Sequence, residues 1–113
     1  MSRDRTLYLR DIEERCILIL SYTYGMDSTS FLADQKTIDA VERSFQIIGD
    51  AIKSLTDDVL DREPAVPWSL LARFRDVVTH AYFRLDRLEV WSAVTDEIPP
   101  LLLAVRRMQS ESA

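Results

Sequence analysis

Cysteine, histidine and glycine are almost missing from this chain: its 113 residues include one Cys, one His and two Gly. A single cysteine closes no intrachain disulfide, which excludes a disulfide-stapled secreted scaffold. One His and one Cys do not furnish the several nitrogen or sulfur ligands of a zinc site. So few glycines cannot serve the repeated tight turns of an all-β fold, so long helices are expected instead. No apolar run approaches the ~18 residues of a membrane span. The opening stretch MSRDRTLYLRDIEER alternates charge and has no apolar core run, unlike a signal peptide. A Gly-rich phosphate loop, a G-x-S-x-G elbow and a Cys–His nucleophile pair are also lacking. These absences point to a cytoplasmic protein with no resident cofactor or metal.

Positive charge is also short. Fourteen Lys and Arg face nineteen Asp and Glu, a formal net charge of −5. That balance argues against non-specific duplex DNA binding, which draws on many Lys and Arg contacts to phosphate. The charge is unevenly spread. Residues 27–63 hold nine acids and four bases, whereas residues 73–87 hold Arg73, Arg75, Arg84 and Arg87 against Asp76 and Asp86, together with the one His.

What remains is an ordinary globular composition, 47% hydrophobic and 29% charged, of a length suited to one domain over residues 1–113. There is no internal repeat, linker or low-complexity tract. Apolar residues recur at helical spacing almost throughout. Leu9, Ile12, Cys16, Ile19 and Thr23 line one face of a first helix, expected from about Asp4 to a stop at Gly25. Cys16 on this stripe reads as a small buried hydrophobe. Residues 27–35 form a loop with one helical turn around Ser30–Ala33. Ile38, Val41, Phe45, Ile48, Ile52 and Leu55 then give the seam of a bundle helix, interrupted by Gly49. A glycine inside a helix costs about 1 kcal/mol relative to Ala, which implies close approach of another helix or a ligand.

Residues 56–66 lose the period and read as a connector, with Asp57 and Asp58 in solvated loop. Pro67 suits the first turn of a helix from about Trp68 to Phe83, with Leu71, Phe74, Val78 and Ala81 on one face. A further helix carries Leu88, Trp91 and Val94. Pro99 and Pro100 restart a last helix with Leu102, Val105 and Met108, and the final QSESA should fray. The two tryptophans are expected to pack the bundle ends. The fold class is all-α, an up-down bundle of four or five helices, and apolar stripes left over by the core make a dimer plausible.

One segment gathers chemistry: Arg75-Asp76-Val77-Val78-Thr79-His80-Ala81-Tyr82. At about 100° per residue, Arg75 and Tyr82 share a helix face within about 20°. Asp76 and His80, four apart, are close enough for the carboxylate to orient the imidazole. Arg75 and His80 are about 140° apart and converge only across a cleft where this helix meets another, including its own copy in a two-fold dimer. A His beside an Arg suits RNA cleavage without metal. The 2′-hydroxyl attacks the adjacent phosphate, His serves as acid or base near neutrality, and the Arg fork steadies charge on the phosphate oxygens. Spacing alone favours a blander alternative, with Asp76–His80 a surface pair and Arg75 a solvated charge, because R-x4-H is short and common by chance.

Most of the chain resembles the HepT-like proteins of the HEPN superfamily, toxins paired with a minimal nucleotidyltransferase antitoxin of the MntA type. The likeness rests on Arg3-Asp4, Tyr8-Leu9-x-Asp11-Ile12 and Tyr22-Thr23-x-Gly25. It continues through Phe31-x-x-Asp34, Thr37-x-Asp39-Ala40-Val41-x-Arg43, Ile48-Gly49-Asp50-Ala51 and Pro64-x-Val66-Pro67-Trp68. It closes on Arg75-Asp76-x-x-x-His80-x-Tyr82-Phe83, Val90-Trp91 and Pro99-x-Leu101. The family motif R-x4-H-x-Y falls on Arg75, His80 and Tyr82.

The resemblance implies a dimeric HEPN-like bundle with the motif helices of both chains lining one cleft, and a metal-independent endoribonuclease of a type VII toxin–antitoxin system. Arg75 would bind phosphate, His80 would be the acid/base, and Asp76 would be the polar residue after the Arg, often Asn in relatives. The partner antitoxin would use ATP to place AMP on Tyr82, where the added anion shares a face with Arg75 and competes with RNA. Expected partners are a second copy, the nucleotidyltransferase and RNA, with no membrane and no specific DNA. Two departures stand out. Asp50 follows Ile48-Gly49 where relatives commonly carry Glu, and Asp76 sets a negative charge beside the phosphate site. The alternative function is a non-catalytic helical module that docks and regulates a nucleotidyltransferase.

Overall fold

A computed structural model describes residues 2–80 and 86–112. The described residues form helices and connecting turns: α1 Ser2–Tyr22, α2 Ser28–Leu32, α3 Gln35–Lys53, α4 Asp57–Leu60, α5 Trp68–His80, α6 Arg87–Asp96 and α7 Ile98–Ser112. Five of these have ten residues or more, and the other two are single turns. The protein is an all-α bundle.

The stripes read from sequence become the core. Leu9, Ile12, Cys16, Ile19 and Thr23 of the first segment are all buried. So are Ile38, Val41, Phe45, Ile48, Ile52 and Leu55. α3 is the central helix, packed on α1 at one side and on α5 at the other, while α7 also lies against α1. Phe45 of α3 stacks on Phe74 of α5 with ring centroids 5.2 Å apart, a geometry that adds to simple area burial. α6 packs on α7, and α2 bridges α3 and α6, with Phe31 against Trp91 at 5.0 Å between centroids.

Short polar side chains fix where the helices begin. Asp27 accepts the Ser30 amide at 2.8 Å, and the Ser30 hydroxyl answers the Asp27 amide at 3.0 Å, a reciprocal cap for α2. Asp34 caps α3 through the Thr37 amide, and Asp86 caps α6 through Leu88. Each cap satisfies an amide that the helix itself leaves without a partner. Gly25 follows α1 with φ +76°, the left-handed conformation that lets a chain turn off a helix end without a Cβ penalty. The Pro67 carbonyl accepts the first α5 bond from Leu71 at 3.1 Å.

Several details depart from the periodicity. The 56–66 connector contains α4, with Asp57 and Asp58 in its first turn. The connector is closed by the Trp68 indole, which donates to the Leu60 and Glu63 carbonyls at 2.9 and 3.1 Å. In α6 the buried face is Val90, Ala93 and Val94, and Leu88 is 51% exposed. Residues 87–89 face outward before Val90 turns inward, which a three-residue stripe was too short to specify. The last helix does not fray at QSESA but runs to Ser112. Gln109 and Arg106 both reach Glu13 of α1 at 3.0 Å, which ties its closing turns to the bundle. α5 is described as far as His80; Ala81, Tyr82 and Phe83, expected to continue it, lie outside the described residues.

Candidate active site at the α3–α5 contact

The candidate site is built where α5 crosses α3. Position 49 has no side chain, and its backbone lies under Arg75. A Cβ placed there would fall on the Arg75 Cβ and come within 2.9 Å of its Cγ. Gly49 is thus the residue that permits this crossing. The close approach expected from a mid-helix glycine is made by the very arginine of the motif.

The next turn of α3 supplies charged partners. The Asp50 carboxylate accepts Arg75 Nε at 2.5 Å. Asp76 accepts from Lys53, the last residue of α3, and the same Asp76 oxygen lies 3.4 Å from Arg75 Nη1. The cluster therefore runs Asp50, Arg75, Asp76, Lys53, with two positive and two negative groups. Asp50 and Asp76 hold the Arg75 guanidinium above its usual value, the Asp50 hydrogen bond contributing most. The Asp76 carboxyl lies below the usual carboxylate range, first because Lys53 donates to it and then through Arg75.

A guanidinium has five N–H donors in a fixed plane. The Asp50 and Asp76 contacts involve two of them, so they orient the fork without exhausting it. The Arg75 side chain is 26% exposed, buried along its stem against Gly49 and open at its head. That is suitable for gripping an anion at the surface. The departure from Glu at position 50 leaves a carboxylate that reaches Arg75 within the same chain. Asp76, expected to serve His80, has Lys53 and Arg75 as partners.

Of the other expected site residues, His80 is the last described residue of α5 and its side chain lies outside the described residues, as does Tyr82. Lys53 was missed by sequence reasoning. The signal available was its spacing on α3, four after Gly49 and three after Asp50, which makes it a surface neighbour of each.

A groove of about 320 Å3 between α5 and α6 is lined by Leu70, Phe74 and Leu88, and rimmed by Glu89, Asp96 and Glu97. Its acidic rim repels phosphate, and Arg75 and Asp76 are not part of it. Among the described residues, no helix is long and apolar enough to cross a membrane.

Comparison with known proteins converges on one family. Residues 12–108 match the family described as Ribonuclease HepT-like, a span that contains the whole α3–α5 cluster. A protein of Thermococcus cleftensis named Probable ribonuclease HepT is 41% identical over 101 residues, covering 89% of this chain and 92% of the relative. A chain of Methanocaldococcus jannaschii that bears an RNase name is 38% identical over 97 residues, 86% of this chain and 80% of that one. Another with an RNase name, from Caldanaerobacter subterraneus, is 31% identical over 101 residues, 89% and 90% of the two chains. No solved structure matches significantly.

Proposed function

The chain belongs to the HepT-like ribonuclease family, and from that premise we propose that it is a metal-independent endoribonuclease, the toxin of a type VII toxin–antitoxin pair. The observation that carries the reading is Arg75 itself, seated on Gly49 and oriented by Asp50 at the start of the R-x4-H-x-Y segment. The proposed reaction needs only side chains. His80 takes the proton from an RNA 2′-hydroxyl, and the 2′-oxygen attacks the neighbouring phosphorus. The bond to the 5′-oxygen breaks, that oxygen receives a proton, and a 2′,3′-cyclic phosphate is left on the upstream fragment. Arg75 steadies the charge that accumulates on the phosphate oxygens.

Arg75 and His80 diverge by about 140° on one helix, so the working site is proposed to form in a cleft of a homodimer, in the cytoplasm. Control is proposed to act through Tyr82. An MntA-type nucleotidyltransferase transfers AMP from ATP to the Tyr82 hydroxyl with release of pyrophosphate, adding an anion seven residues after Arg75 in the sequence. Incubation with that partner and ATP should add AMP mass to the wild type and none to Tyr82→Phe. An unchanged wild-type mass with a partner active on another substrate would refute the modification.

One observation favours a second reading. Asp50 and Asp76 neutralise the cations of the cluster within the chain, as suits a non-catalytic module that docks a nucleotidyltransferase. On that reading the pure protein would bind the partner and cleave no RNA.

A further inference from the structure

We propose that Lys53 is a second phosphate-binding residue of the Arg75 site, and that Asp76 holds the place of an RNA phosphate oxygen until RNA arrives. The substrate class rests on the ribonuclease reading; the residue does not, because it follows from the geometry of the cluster. Lys53 and Arg75 come from different helices and turn toward one oxygen, Asp76 Oδ1. An anionic oxygen between an ammonium and a guanidinium is the arrangement in which proteins hold phosphate.

The carboxylate in that place is exchangeable. The side chains of Lys53 and Asp76 are 43% and 49% exposed, and ion pairs so open to water are weak. The charges also match. With Asp76 in place the cluster is neutral. With Asp76 turned away, Lys53 and Arg75 against Asp50 leave one positive charge for the single negative charge of a phosphodiester. Asp50 stays on Arg75 Nε throughout, so the guanidinium keeps its orientation while its partner is exchanged. The displaced carboxylate is one helical turn before His80, within reach of that position.

The test is binding of a fluorescein-labelled, fully 2′-O-methylated single-stranded RNA, which cannot be cut through its 2′-oxygen. Anisotropy is followed across a salt series for the full-length protein. Unmodified RNA of the same sequence is incubated in parallel to read cleavage. Lys53→Gln should weaken binding about fivefold, the scale of one exposed charge contact, and reduce the log–log salt slope by about 0.7, one phosphate contact on a single strand. Lys53→Arg should restore both. Asp76→Asn should tighten binding, and Lys53→Gln should still weaken it in that background.

Loss of the Lys53 effect in the Asp76→Asn background would overturn the proposal, since Lys53 would then act only as the partner of Asp76. Unchanged binding by Lys53→Gln, with its melting temperature preserved, would overturn it as well. Cleavage by the wild type without any Lys53 dependence sinks the Lys53 proposal alone. Lys53-dependent binding without cleavage supports it and sinks the nuclease reading alone. A wild type that binds no RNA overturns both.

Discussion

Gly49→Ala pits two physical effects against each other. By helix propensity alone the change should stabilise α3 by about 1 kcal/mol. The crossing reverses the sign. The added methyl meets the Arg75 Cβ, Cγ at 2.9 Å and Cα at 3.4 Å; Cα and Cβ are fixed to the α5 backbone, and no rotation of the side chain moves them away. Relief requires α5 to move off α3, along the contact that also stacks Phe45 on Phe74. Overpacking costs about 1–3 kcal/mol, and a contact this close to backbone-anchored atoms belongs at the upper end, leaving a net loss of up to about 2 kcal/mol. For a chain of this size that lowers the melting temperature by roughly 8 °C. The same shift draws Arg75 from Asp50, and a displacement near 1 Å at a reacting group can cost about a hundredfold in rate. Thermal unfolding followed by helical circular dichroism measures the first effect, and RNA cleavage measures the second. A Gly49→Ala protein that melts at or above the wild type and keeps full cleavage would refute the close crossing and the role assigned to it.

Further expectations concern the rest of the molecule. Cys16 is fully buried, and burial pushes its thiol up to about 12; it should resist a thiol reagent at pH 8 in the native protein and react at once in denaturant, and fast labelling of the native form would contradict its place in the core. Glu13 lies below the usual carboxylate range because Gln109 and then Arg106 donate to it. The unfolded chain therefore takes up protons first as pH falls, so this contribution is present above the unfolded carboxylate value and lost on acidification through the folded one. Urea midpoints should decline below about pH 4, and Glu13→Gln should decline less steeply; an identical decline would show that the α1–α7 tie is not formed.

How far the fold could be read from sequence depended on the length of the pattern. The six-position stripe from Ile38 to Leu55 and the five-position stripe from Leu9 to Thr23 are buried throughout, because long periodic runs specify a face. Leu88, Trp91 and Val94 do lie on one helix, α6, but three residues do not fix which face is buried, and Leu88 is exposed. α4 was hidden because a four-residue helix has no period. At the site, the motif and the glycine were legible, but their relation was not. That Gly49 lies under Arg75 is a contact across 26 positions, invisible to the periodicity of either helix. For the same reason the basic character of residues 73–87 gave only part of the site. Asp50, which faces Arg75, is contributed by the acidic segment, and Lys53 of that segment is a cation of the site.

The central claim is that Arg75 and His80 cleave RNA without a metal ion. Its most direct test is cleavage of a defined single-stranded RNA by the purified protein in EDTA, comparing the wild type with Arg75→Ala and His80→Ala. The wild type should cut and leave 2′,3′-cyclic phosphate ends, and each variant should lose at least about a hundredfold in rate while retaining its helical melt. An inert wild type, or a folded variant that cuts as fast as the wild type, would contradict the account.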